Sequence, residues 1–239
     1  MASEPTVIPL EEPLGSSEAR ELPALICGNS RTASFGVLLA HGAGAPMDHP
    51  FLEHFAGELE QAGGVVLRFD YPYMAARRSG ASRRPPDRAP VLLAAHRAAI
   101  ANARERFGDL PLFLMGKSMG SRMAAMLLAD PSESISDVAG LIALGYPLHP
   151  AGKPDRLRDD FFPDLKTPSL FIQGTRDALC TRAILEDSLP RLGGPFEVHW
   201  IEDGDHSFEV PKRSGRTTQA ALDEAQEVLA GWIAGRLGS

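Results

Sequence analysis

Cysteine is almost absent from this 239-residue chain, with Cys27 and Cys180 the only two. Two thiols are too few for a disulfide framework and have no metal-ligand spacing, so both are expected to be reduced. No apolar run approaches the ~18 residues of a membrane span, and no membrane partner is expected. Positive charge is also scarce: 24 Lys and Arg stand against 31 Asp and Glu, a formal net charge of -7. Phosphate affinity comes from clustered Lys and Arg, so nucleic acid is excluded as the main partner. The opening MASEPTVIPLEEPLGSSEAR carries acidic residues and no basic-then-apolar leader, which makes a cytoplasmic location the expectation. Internal repeats and inter-domain linkers are missing as well. With 44% hydrophobic and 23% charged residues, the composition is that of an ordinary globular protein, and a single domain over 1–239 is expected.

What the sequence does contain is alternation. Runs rich in Val, Leu and Ile recur at 34–42 (SFGVLLAHG), 64–72 (GVVLRFDYP), 110–118 (LPLFLMGKS), 138–147 (VAGLIALGYP), 169–177 (SLFIQGTRD) and 196–203 (FEVHWIED). Segments of helical period separate and follow them: HPFLEHFAGELEQAG, RAPVLLAAHRAAIANARERFG, SMGSRMAAMLLAD, RAILEDSLPRL and TTQAALDEAQEVLAGWIAGRL. This is the order of βα units in an α/β fold, a doubly wound and mostly parallel sheet with helices on both faces. TVIPLEE and ALICGN read as edge strands before the first unit, and 74–88 as the least structured interior stretch.

Ligands of such sheets bind beyond the carboxyl ends of the strands. The polar residues there are His41 to Gly44, Asp70-Tyr71, Lys117-Ser118-Met119, Tyr146, Thr175 to Asp177 and Asp205-His206. Ser118 sits in GKSMG, a G-x-S-x-G pattern, where a strand gives way to a helix. Flanking glycines suit a sharp turn that presents a hydroxyl, although a serine there also serves as a helix cap. Attack by a hydroxyl needs a base, and a carboxylate to orient that base. His206 in the loop after the last strand and Asp177 at the end of an earlier one supply them, in the chain order Ser, Asp, His. Asp203 and Asp205 share a loop with His206 and rank below Asp177 as its orienting acid. The small residues of HGAGA allow close backbone approach, which makes the N–H groups of Ala43 and Met119 the expected oxyanion donors. His41 then reads as a buttress of that loop.

Together LLAHGAGAPMDHPF, RFDYPYM, GKSMGSRMA, GYPLHPAGKP, QGTRDALC and GDHSF resemble the α/β-hydrolase superfamily over roughly 34–237. More narrowly, the chain resembles the small hydrolases of the KANL3/Tex30-like group, whose architecture is similar to dienelactone hydrolase. The resemblance implies Ser118 as nucleophile, Asp177 as acid, His206 as base, the Ala43 and Met119 amides as oxyanion hole, and no cofactor or metal. It carries no substrate with it. Dienelactone hydrolase-like enzymes use a cysteine where this chain has Ser118, which moves the expectation toward oxyesters.

Only LHPAGKPDRLRDDFFPD separates the strands that end near Tyr146 and begin at Ser169, too little for a lid domain, so an open site for a small ester or thioester is expected. Tyr71 and His149 are placed on the pocket wall. Arg77, Arg78, Arg83, Arg84 and Arg88 form a positive cluster against Asp87. Two readings stand for it: Arg83 and Arg84 recognise an anion on the substrate, or the loop is solvated with its charges paired locally. Lys117 and Cys180 are read as structural. Peptidase and haloperoxidase-like activities could use the same triad, and a silent binding or scaffold protein is the rival from another class. Oligomeric state is not legible.

Overall fold

In a computed structural model, residues 3–15, 18–133, 135 and 137–238 are described. Their contacts divide the chain into two compact units, residues 1–124 and 125–239, with the boundary inside a helix.

The first unit holds β1 (Glu4–Pro9), β2 (Glu21–Cys27), β3 (Phe35–Ala40), α1 (Pro50–Gln61), β4 (Gly64–Phe69), α2 (Pro72–Arg78), α3 (Ala89–Phe107) and β5 (Leu112–Lys117), and the start of α4 (Met119–Ala129). Its strands lie in the order β1-β2-β4-β3-β5. The first two are antiparallel to their neighbours, and β4, β3 and β5 run parallel. All six positions of each parallel strand are buried, which is why they read as unbroken apolar runs. In register, Ala40 faces Phe69 on one side and Gly116 on the other. The loops that follow β3, β4 and β5 therefore emerge side by side. Helix α1 starts on Pro50 after His49, whose Nδ1 caps the Phe51 amide at 3.3 Å, and buries Leu52, Phe55, Ala56 and Leu59 at the i, i+3, i+4, i+7 spacing.

The second unit holds β6 (Val138–Leu144), β7 (Ser169–Gly174), α5 (Arg182–Ser188), β8 (Phe196–Ile201) and α6 (Thr218–Leu237). Its strands pair in parallel in the order β6-β7-β8. Gly174 faces Ile201, so the loops after β7 and β8 also leave together. Helix α6 is capped by the Thr217 hydroxyl, which accepts from the Ala220 amide at 3.0 Å, and buries Ala221, Ala225, Leu229, Trp232 and Ile233. Among the described residues between β6 and β7, only a 3-10 turn at Phe162–Asp164 is regular, and no lid domain is inserted.

Two expectations need correcting. The stretch 74–88 is not uniformly irregular, because its first five residues belong to α2, which Pro72 opens. RAILEDSLPRL is not one helix: α5 stops at Ser188 and a 3-10 turn covers Leu189–Arg191, since Pro190 has no N–H to donate and its ring clashes with the preceding turn.

Candidate active site

Ser118 stands between the end of β5 and the start of α4 with φ +52°. A left-handed backbone at a non-glycine residue costs about 1–3 kcal/mol and persists only where its surroundings enforce it. The enforcement is visible. A Cβ on Gly116 would run into the Ser121 amide nitrogen, and one on Gly120 would lie 2.5 Å from the Ala40 carbonyl oxygen and 2.8 Å from that of His41. The Ser118 carbonyl accepts from the Ser121 hydroxyl at 2.7 Å and from the Arg122 amide at 3.2 Å, which starts α4 immediately behind the nucleophile candidate. The serine therefore does more than cap a helix: its backbone is bent out of the ordinary range by the packing around it.

The loop after β3 lies against this turn. A Cβ placed on Gly42 would sit 3.5 Å from Ser118 Cβ. His41, fully buried, accepts the Tyr71 amide at Nε2 (3.1 Å) and presents Nδ1 to the Gly42 carbonyl at 2.6 Å. Burial pushes its pKa down despite the Gly42 carbonyl and nearby Asp70. A neutral ring whose Nε2 accepts must carry its proton on Nδ1, so Nδ1 donates to Gly42. Asp70 closes the far side of the loop: Oδ1 accepts the Met47 amide at 2.9 Å and Oδ2 accepts Arg78 Nε at 2.8 Å. Arg78 also grips Asp48 with both terminal nitrogens, at 2.9 and 3.0 Å, and this pairing holds the Asp48 carboxyl below its ordinary value. Beneath the loop, buried Arg68 donates to the Met47 carbonyl at 2.9 Å.

In the second unit, Asp177 and His206 form a couple. His206 Nδ1 lies 2.7 Å from Asp177 Oδ2, the carboxylate is buried and the imidazole is 27% exposed. Asp177 is itself held: Oδ2 also accepts the Gln173 amide nitrogen, and Oδ1 accepts the Leu179 backbone amide at 2.7 Å. The other end of Gln173 accepts the Tyr146 amide at 2.8 Å, so this buried side chain ties the ends of β6 and β7 to the carboxylate. Asp205 shapes the loop that carries the histidine, with Oδ1 accepting the Ser207 amide at 2.7 Å and the Glu209 amide at 3.0 Å. The carboxylate beside Nδ1 orients the imidazole and favours the tautomer with its proton on Nδ1.

The expected wall residues fare differently. Tyr71 is fully buried and its hydroxyl meets His96 Nδ1 on α3 at 2.9 Å, so its side chain is a pillar of the first unit rather than a substrate contact. His149 is 97% buried, with Nδ1 3.0 Å from the Pro150 carbonyl and its amide on the Leu179 carbonyl at 3.2 Å, beside the Asp177 loop. Of the arginine cluster, Arg78 is engaged by Asp70 and Asp48, and Arg84 lies 3.4 Å from Asp87, whereas Arg83 is exposed. Lys117 packs its ammonium over the Phe51 ring at 5.6 Å. Cys180 is buried, and burial together with Asp177 pushes its thiol pKa up. The sequence drew attention to Asp70, Arg78 and Asp87 but not to the Asp70–Arg78 clamp or the bond from the Tyr73 amide to Asp87, and Gln173 and Tyr73 were not singled out. A lone glutamine inside the apolar run SLFIQG was an available signal, since a buried amide needs partners. Among the described residues, no group of three or more His, Cys, Asp or Glu could hold a metal ion, and no helix is long and apolar enough to cross a membrane.

Residues 33–234 match the alpha/beta hydrolase domain family, most of the chain. The chain belongs to the α/β hydrolase family. Solved structures agree on the fold. A dienelactone hydrolase from Anabaena variabilis is 21% identical, with 98% of this chain and 97% of that one covered at a TM-score of 0.73. An esterase from Pyrococcus furiosus is 14% identical over 99% and 91% of the two chains (TM-score 0.74), and Est1E from Butyrivibrio proteoclasticus is 12% identical over 95% and 98% (TM-score 0.69). The expected α/β hydrolase fold without a large lid is thus the fold of this family member.

Proposed function

We propose that this family member is a serine hydrolase that cleaves carboxylic esters or thioesters of small molecules through an acyl-enzyme on Ser118. The observation that carries the reading is the φ of +52° at Ser118, a strained turn that a capping serine does not need. The buried Asp177 carboxylate, 2.7 Å from His206 Nδ1, supports it from the second unit. In this reading His206 Nε2 takes the Ser118 proton as Oγ attacks the carbonyl carbon, and Asp177 keeps the ring in the tautomer that can accept it. The N–H groups of Ala43 and Met119 receive the developing oxyanion. His206 then protonates the leaving alcohol or thiol, and a water activated by the same ring releases the acid. Every step is proton transfer or acyl transfer, and none calls for a cofactor. The esterases and the dienelactone hydrolase that share the fold are consistent with an ester bond as the target.

The test is intact mass after incubation with a fluorophosphonate, on the wild type, Ser118→Ala and His206→Ala. One adduct on the wild type, absent from both variants, is the expected result, followed by turnover of short acyl esters or thioesters. A folded wild type that takes no adduct refutes the reading and leaves a silent hydrolase-fold binding protein.

A further inference from the structure

The first unit contains a device that no triad requires. Tyr73, in the first turn of α2, is fully buried, and its hydroxyl lies 3.0 Å from the Ala43 carbonyl oxygen and 3.3 Å from that of Gly42. Its own backbone amide is anchored 2.9 Å from Asp87 Oδ2, in the loop that leads to α3. The chain has no cis peptide bond among its described residues, so every amide N–H points opposite to the carbonyl of its own peptide unit. The Gly42 carbonyl is turned toward the His41 ring and Tyr73 hydroxyl, which lie together with centroids 5.9 Å apart. The N–H of the same peptide unit belongs to Ala43 and is directed away from both rings. Ala43 is solvent-exposed, and its N–H donates to no protein acceptor among the described residues. Gly42 meanwhile abuts Ser118.

We propose that Tyr73 is a positioning residue of the oxyanion hole: by sharing its hydroxyl proton between the Ala43 and Gly42 carbonyls it fixes, together with His41, the peptide planes on both sides of Ala43, and so aims the Ala43 N–H at the developing oxyanion. The inference rests on the serine hydrolase reading and adds to it the part that makes one of the two donors rigid before substrate arrives. Rigidity matters because a donor aligned in advance needs no reorganisation as charge develops. Burial, reinforced by the negative charge of Asp70, raises the Tyr73 pKa, and the hydroxyl therefore remains a donor over the working pH range. The Gly42–Ala43 peptide plane is held from two sides, by His41 Nδ1 on the Gly42 carbonyl at 2.6 Å and by the Tyr73 hydroxyl, which also holds the next carbonyl, that of Ala43. Asp87, paired with Arg84 through Oδ1, uses Oδ2 to fix the start of α2 from which Tyr73 reaches.

The experiment compares wild type, Tyr73→Phe and Tyr71→Phe on one oxoester and its thionoester, in which sulfur replaces the carbonyl oxygen. Tyr71 is the matched control: equally buried, two residues away, with its hydroxyl on His96 instead of the loop. A sulfur anion gains little from N–H donors, so loss of an aligned donor slows the oxoester selectively. Tyr73→Phe is expected to lower oxoester kcat by about tenfold or more with KM nearly unchanged, and to shrink the oxoester-to-thionoester ratio by a similar factor. Tyr71→Phe should leave the ratio within about twofold of wild type, whatever it does to stability. An unchanged ratio in a folded Tyr73→Phe protein overturns the proposal while the hydrolase reading stands. If wild type neither turns over the oxoester nor labels at Ser118, both fall.

Discussion

Replacing Gly120 with alanine inserts one methyl group where α4 meets the end of β3, and the structure gives the size of the disturbance. The new Cβ would lie 2.5 Å from the Ala40 carbonyl oxygen, against 3.4 Å for the near limit of ordinary contact, so the strand end and helix must separate by 0.9 Å. The obstructing atoms are backbone, and no side-chain rotation relieves them. The displacement falls between Ser118, two residues before the new methyl, and the loop that starts at His41. A misplacement of about 1 Å at a reacting group costs about 100-fold in rate, so the fluorophosphonate labelling rate of Gly120→Ala should fall by that order. Overpacking costs about 1–3 kcal/mol, and the better helix propensity of alanine returns up to about 1 kcal/mol. For a chain of this size each kcal/mol moves the Tm by about 2–4 °C, so the net loss should be at most about 12 °C. The assay is labelling rate by intact mass, with circular dichroism melting in parallel. Gly57→Ala is the companion, because a Cβ there meets nothing within 4 Å on α1. It should gain about 0.5–1 kcal/mol and label at the wild-type rate. A Gly120→Ala protein that labels within about threefold of wild type would refute the claim that this contact sets the nucleophile's position.

Other consequences can be measured with the same tools. Gln173→Leu leaves the Tyr146 amide and one Asp177 lone pair without their partner, and should cost about 1–3 kcal/mol in urea unfolding and lower kcat more than it changes KM; a variant as stable and active as wild type would show that Asp177 needs no such support. Burial lowers the pKa of His96 to about 3, against about 6.5 in the unfolded chain. The unfolded state thus binds the extra proton between those values, and stability rises with pH across that window and falls as pH drops below about 6.5. His96 alone contributes a slope approaching about 1.4 kcal/mol per pH unit; His96→Gln should show a shallower decline between pH 6 and 4 in urea titrations, and an unaltered slope would mean the ring is not held neutral. Arg83→Gln, which removes an exposed cation of the 79–88 loop, should raise KM for anionic esters more than for neutral ones, and equal effects would remove the anion from the substrate description.

The parts of the candidate site that the sequence made legible share one property: each lies where a local pattern changes. GKSMG marks a strand yielding to a helix, and QGTRD and EDGDH mark apolar runs that end in acidic residues, so position singles out Ser118, Asp177 and His206 as candidates. The reason for the glycines was only half legible. Gly116 does relieve the turn itself, since its Cβ would meet Ser121, but Gly120 is required by the carbonyls of Ala40 and His41, nearly 80 residues earlier in the chain, and β3–β5 register decides that. The support of the oxyanion loop was out of reach for the same reason. Tyr73 and Gly42 are separated by 31 residues, and Asp70 and Met47 by 23, and nothing in a one-dimensional pattern says that the ends of β3 and β4 emerge together. Tyr71 was misassigned because an aromatic residue at a strand end can face substrate or core, and only the His96 ring opposite its hydroxyl shows which.

Two residues could nevertheless have been found by asking where a polar group is out of place. Arg68 interrupts GVVLRF and Gln173 interrupts SLFIQG, and both strands are buried at all six positions. A buried amide or guanidinium is tolerated only with hydrogen-bond partners, and a parallel sheet already uses the backbone groups beside it, so the partners must come from beyond the strand. Both do. Arg68 reaches the Met47 carbonyl of the loop after β3, and Gln173 reaches Asp177 and the Tyr146 amide after β7 and β6. In each case the misplaced polar side chain lies just before the carboxyl end of its strand and braces a loop, for Arg68 the one after the neighbouring β3 and for Gln173 the one after its own strand. Burying these groups costs desolvation that an apolar residue would avoid, and what the fold gains at both positions is a loop held in one conformation next to a residue of the proposed site.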